Sequence, residues 1–189
     1  MNFDPVSLKE KLEATGLPHN SMPYIHGCLT ARAIINYNEN PFCLTAGVLS
    51  LIFKRPEHEF PRDPDLVNKM NLVVRTVKDV LNGMMLSMAD GTYRPYFDGP
   101  PREWCRGFRH SIVQERSRLD GLDISPRVNK AVNIIIFGAA PVEFLKANGL
   151  TREDVPETTE LLDDLKERIS KGVFDIYDHF RRKKMSGDN

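Results

Sequence analysis

The side chains able to do chemistry in this chain are few and scattered: three thiols, Cys28, Cys43 and Cys105, five histidines, and arginines recurring at helical spacing. His26-x-Cys28 and Cys105 with His110 are the couples that could act as metal ligands or as a thiol with its base. Structural zinc sites show tighter paired spacing than these offer. A cysteine nucleophile also needs an acid and an oxyanion element, and no motif here supplies them. The chain has no glycine-rich phosphate loop, no HExxH and no carboxylate pair in a glycine or histidine context. The sequence therefore points to no catalytic residue, no metal site, no cofactor and no small-molecule substrate, and a protein that is not an enzyme is expected. A thiol- or metal-dependent hydrolase built on Cys105 and His110 is the last of three functional readings. The expected role of the cysteines is that of small buried hydrophobes.

The arginines carry more information. Arg102, Arg106, Arg109 and Arg116 line one helix edge, beside a face formed by Trp104, Cys105, Phe108, Ile112 and Leu119. Such a strip could meet phosphates or an acidic protein patch with forked donors that lysine lacks, or it could be a solvated helix face. Arg32 is different, because it falls in the middle of an apolar arc with Tyr24, Ile25, Cys28 and Ile35. A guanidinium keeps its proton, so a buried one needs a carboxylate or a bound anion. An ion pair from a neighbouring helix, a side chain that reaches water and a bound anion or ligand would each meet that need.

Two glycines stand inside apolar helical patterns, Gly27 in His26-Gly27-Cys28-Leu29-Thr30-Ala31 and Gly107 in Trp104-Cys105-Arg106-Gly107-Phe108. Glycine in a helix interior costs about 1 kcal/mol relative to alanine. Two such sites predict helices that approach other backbones closely.

These segments resemble the signature stretches of the YecA/YgfB family, small helical bacterial proteins with no established catalytic activity. The resemblance covers the helical body and marks His26, Gly27, Thr30, Trp104, Cys105, Gly107 and Phe108 as structural signature residues. The chain departs from the pattern at Cys28, Arg32 and Arg109, where large apolar residues are usual, and at Ser111, where a second glycine often follows. A divergent member is implied. Some relatives end in a cysteine-rich zinc-binding tail, whereas this sequence closes on Arg181-Arg182-Lys183-Lys184-Met185-Ser186-Gly187-Asp188-Asn189 without a Cys or His ligand set.

The elements that must position these residues read as helices. Asp4-Pro5 opens a short one that stops at Gly16, and further helices are expected over Pro23–Asn36, Pro41–Phe53, Asp65–Met88, around Trp104, Pro126–Phe137, Val142–Asn148 and Pro156–Lys184. The clearest is Asp65–Met88, where Leu66, Met70, Val73, Val77, Val80, Met84 and Met88 recur at three- and four-residue steps. Loops are expected over Arg55–Asp65 and Ala89–Pro101, and Asn133–Phe137 alone would also suit a buried strand. In the terminal helix Leu162, Leu165, Ile169, Val173, Ile176 and Phe180 form a narrow seam, which either packs on the domain or serves self-association or a protein partner.

With 189 residues, 28% charged and 41% hydrophobic, the chain can bury a core of roughly 70% of its unfolded surface. Its 26 basic and 26 acidic side chains cancel, which disfavours a DNA-coating protein. No stretch approaches a membrane span, the first ten residues hold no signal-peptide core, and the odd cysteine number disfavours a disulfide framework, so the cytoplasm is the expected compartment. The expected fold is all-α: a single bundle-like domain of about seven or eight helices over residues 1–155, with a long C-terminal helix and basic tail over 156–189. The leading functional expectation is a non-catalytic interaction or regulatory protein. A nucleic-acid-associated regulator using the arginine edge and the basic tail is the second.

Overall fold

The computed structural model describes residues 4–35, 48–54, 63–115, 124–141, 147, 149 and 159–186, with side chains of the last helix described over 162–182. Every regular element among the described residues is helical, and none is a strand. Six helices have defined bounds: α1 (Pro5–Ala14), α2 (Met22–Ile35), α3 (Pro64–Ala89), α4 (Arg102–Gln114), α5 (Pro126–Ala139) and α6 (Thr159–Ser186). A seventh helical stretch covers 48–53. Cys43, Arg116, Leu119, the start of the expected Pro41–Phe53 helix, the body of the Val142–Asn148 helix, most of the Arg55–Asp65 loop and Pro156 lie outside the described residues.

Local chemistry sets the helix starts. The Asp4 carboxylate accepts from the Val6 and Ser7 N–H groups at 3.1 Å each, and Pro5 occupies the first turn, where no N–H is missed. Asp63 repeats the arrangement on the Leu66 N–H of α3, as Ser125 does on the Val128 N–H of α5. Pro64 and Asp65 thus belong to α3 rather than to the preceding loop. The turn after α1 needs Gly16, whose φ of 68° is strained for any residue with a Cβ. Asn20 then closes the 48–53 stretch from outside, its backbone N–H donating to the Ile52 carbonyl and its side chain to the Leu51 carbonyl.

The centre of the bundle is α2, in which every residue from Met22 to Ile35 is buried. Its most extensive neighbour among the described helices is α4, and it also meets α3 and α6. From α4 the packing continues to α5 and from α5 to α6, while α1 lies on α3. The apolar stripe of α3 reaches the core through Met70, Val73, Val77, Leu81, Met84 and Met88. Val80 is only half-buried, so the stripe turns through Leu81 instead. Asn133–Phe137 is helix, because Ser125 and Pro126 start an element long enough to carry Val128, Ala131 and Ile135 into the core as one helical face.

Candidate functional site: the α2–α4 joint and its outer edge

Gly27 and Gly107 face each other's helix. A Cβ on Gly27 would lie 2.0 Å from the Trp104 carbonyl oxygen and 2.9 Å from the Phe108 nitrogen. A Cβ on Gly107 would lie 2.0 Å from the Tyr24 carbonyl oxygen. The two backbones are in direct contact, and the Cys28 thiol, buried beside them, donates to the Gly107 carbonyl at 3.2 Å. The expected close approach is therefore reciprocal, each glycine making room for the other helix.

His26 pins a third piece of chain to this joint. Its Nδ1 accepts from the Trp104 indole N–H at 2.9 Å and from the Tyr96 backbone N–H at 3.3 Å. Its ring stacks on Tyr93 with centroids 5.9 Å apart. Thr30 donates to the His26 carbonyl at 2.8 Å, which leaves the Tyr93 hydroxyl to donate to Thr30 Oγ1 at 2.5 Å. Two donors on Nδ1 fix the neutral tautomer with its proton on Nε2. Burial pushes the pKa of His26 down to about 3. The non-helical stretch between α3 and α4 is expected as a plain loop, yet it carries the buried Tyr93 and lays Phe97 edge-on against Trp104. Neither Tyr93 nor Tyr96 is legible as an anchor in the sequence; the available signal is three aromatics within five residues of a loop.

Arg32 finds its counter-charge inside the chain. Its guanidinium pairs with Glu115 at the end of α4 and donates to Ser111 Oγ and Gln114 Oε1 at 3.2 Å each. Three partners from one α4 turn satisfy the buried cation, so of the three alternatives the geometry selects the ion pair. Ser111, fully buried, is small where the guanidinium needs room.

Among the described residues, Cys28 and Cys105 are buried thiols that form no disulfide. Burial pushes both Cys28 and Cys105 up to about 12, far from the thiolate a nucleophile or metal ligand requires. Cys105 packs where α5 approaches, 2.7 Å from where a Cβ on Gly138 would stand. His110 shares a hydrogen bond with the Tyr24 hydroxyl through Nδ1 on the outer side of the joint, and burial lowers its pKa. Among the described residues no group of three or more His, Cys, Asp or Glu side chains could hold a metal ion.

Arg102, Arg106 and Arg109 are exposed on the outer edge of α4, and Arg106 pairs with Glu103 at 2.8 Å. Arg32 belongs to the interior and is not part of this edge. The fourth expected member, Arg116, is outside the described residues. The α6 seam packs within the chain: Ile169, Val173 and Ile176 are buried, and Leu162, Leu165 and Phe180 are half-buried. Tyr177, one helical step from the seam, is buried as well, and Phe174 meets Tyr93 edge-on. No helix among the described residues is long and apolar enough to cross a membrane. No family model, curated protein or solved structure matches the chain.

Proposed function

We propose that this chain is a non-catalytic interaction protein whose partner surface is the exposed edge of α4 formed by Arg102, Arg106 and Arg109. The observation that carries this reading is how the reactive side chains are used. Cys28, Cys105 and His26 are consumed in the α2–α4 and α4–α5 contacts, with pKa values moved away from those of a working nucleophile or base. The arginines, by contrast, face solvent with forked donors available, and no described residue pairs with Arg102 or Arg109. Membership of the YecA/YgfB family is part of the same proposal. It is supported by the mutual contact of the two segments that carry the resemblance, and it gives the protein an architectural motif rather than an active site.

The test is affinity capture with the wild-type protein and with Arg102→Glu/Arg106→Glu. Charge reversal at exposed sites leaves the fold intact, so loss of the recovered partners supports the surface, and an identical set of partners overturns it. Thiols that react within seconds in the native protein would overturn the non-catalytic half of the proposal. Nucleic acid recovered with a strong salt dependence would move the reading to the second function class.

A further inference from the structure

The arginine edge of α4 has a pattern beyond its charge. Arg102, Arg106, Arg109 and Val113 follow one another at steps of four, three and four residues, so they form a single stripe about 16 Å long. Val113 is 59% exposed, an aliphatic side chain left in water at the end of the stripe. Alternating steps of three and four are the spacing at which two helices meet side by side. A phosphate backbone would make no use of Val113.

The start of α4 holds both signs of charge, with Glu103 in the first turn where the helix dipole favours it. Arg102 stands in the first turn, where the helix dipole disfavours a cation, and the Pro101 cap supplies no side-chain acceptor to the free N–H groups. Glu103 is the one acidic residue of α4 before its end, and it is engaged by Arg106. Carboxylates from outside the helix would relieve both the dipole and the arginines.

The chain carries such carboxylates elsewhere. In the first turns of α6, Asp163, Asp164 and Glu167 are exposed, and Glu167 stands four residues from Asp163 and three from Asp164, so the three carboxylates lie close together on the helix. Lys166 and Arg168 answer Asp163 and Asp164 within the helix, while no described residue pairs with Glu167. The two patches have opposite sign on a molecule of net charge zero, a distribution that favours association between copies over repulsion.

We infer that the Arg102–Arg106–Arg109 stripe of α4 docks the acidic first turns of α6 of a second copy of this chain. The inference rests on the reading of the α4 edge as an interaction surface. In a two-fold dimer each copy contributes one stripe and one acidic turn, so the contact is made twice.

Sedimentation velocity of the full-length protein over a wide concentration range tests it. The expected result is a dimer that weakens about tenfold between low and high salt. Arg102→Glu/Arg106→Glu and Asp164→Lys/Glu167→Lys should each be monomeric with an unchanged circular dichroism spectrum. Mixed together they should dimerise again, because each reversed patch now meets its complement. A wild-type protein that stays monomeric, a dimer that tolerates either reversal, or a mixture that fails to recover would overturn the inference. None of these outcomes decides the broader reading, which stands or falls on whether Arg102→Glu/Arg106→Glu loses captured partners.

Discussion

Two of the helix contacts made through glycine, α2–α4 and α5–α6, differ in what the glycine faces. At the α2–α4 joint the missing Cβ atoms leave room for carbonyl oxygens, which a Cβ would meet at 2.0 Å at both Gly27 and Gly107. At the α5–α6 contact Gly172 faces the Ala131 methyl group, 3.2 Å from where its own Cβ would be. Backbone cannot rotate away, whereas a methyl-to-methyl contact yields with a few tenths of an ångström of helix movement. The first joint therefore tolerates no side chain, and the second is merely close. The same division separates the rest of the molecule. His26, Thr30, Arg32 and Cys28 all hydrogen-bond across or beside the α2–α4 joint, while α5 and α6 meet through apolar packing and the surface pair of Arg127 with Asp175.

Substitutions at the glycines should separate the two joints by the widest margin. Gly27→Ala is expected to destabilise the protein by more than about 4 kcal/mol, since the two helices must separate and give up the hydrogen bonds between them. Soluble expression and a thermal melt will show the loss. Next in size is Glu115→Ala, which strands the buried Arg32 cation and should cost about 3 kcal/mol in urea unfolding. Replacing both partners, as in Arg32→Met/Glu115→Leu, should recover much of it, because the uncompensated charge is then gone.

A third effect follows from His26. Its native pKa lies near 3 and its ordinary value near 6.5, so the unfolded chain takes up a proton that the native ring refuses. The stability that the neutral ring contributes is complete above pH 6.5 and is lost as pH falls toward 3, by about 1.4 kcal/mol per pH unit. The comparison is wild type against His26→Asn, an acceptor that does not titrate; the difference between the two stabilities should shrink with falling pH. A constant difference would show that the imidazole is not held neutral. The smallest effects belong to the outer joints. Gly138→Ala meets the buried Cys105 sulfur and should cost about 1–2 kcal/mol, a loss that Cys105→Ala in the same chain should reduce.

Much of this arrangement was legible in the sequence, and the reason is local. Asp4-Pro5 and Ser125-Pro126 announce helix starts through capping chemistry that involves only neighbouring residues. The α3 stripe and the α6 seam follow from periodicity, which needs no knowledge of what lies opposite. Gly27 and Gly107 could be read as points of close approach because glycine inside an apolar helix has few other uses. That they oppose each other could not, since periodicity on one helix does not name its partner. Arg32 shows the same limit. Its need for a counter-charge was evident from its position, but Glu115 lies 83 residues away. Tyr93 and Tyr96 were hidden for another reason: Gly91, Pro95, Gly99 and Pro100 mark the segment as irregular, and irregular backbone gives no pattern by which to read burial. What made them anchors is His26, whose imidazole supplies the acceptor and the stacking face.

The claim that the α2–α4 joint is backbone against backbone is tested most directly by equilibrium urea unfolding of Gly107→Ala beside Gly172→Ala. Both substitutions gain about 1 kcal/mol of helix propensity, so that term cancels and the difference reports the space at each joint. The expected result is a near-wild-type midpoint for Gly172→Ala and a loss of more than about 4 kcal/mol, or no cooperative transition, for Gly107→Ala. Two variants that unfold within about 1 kcal/mol of each other would contradict the account.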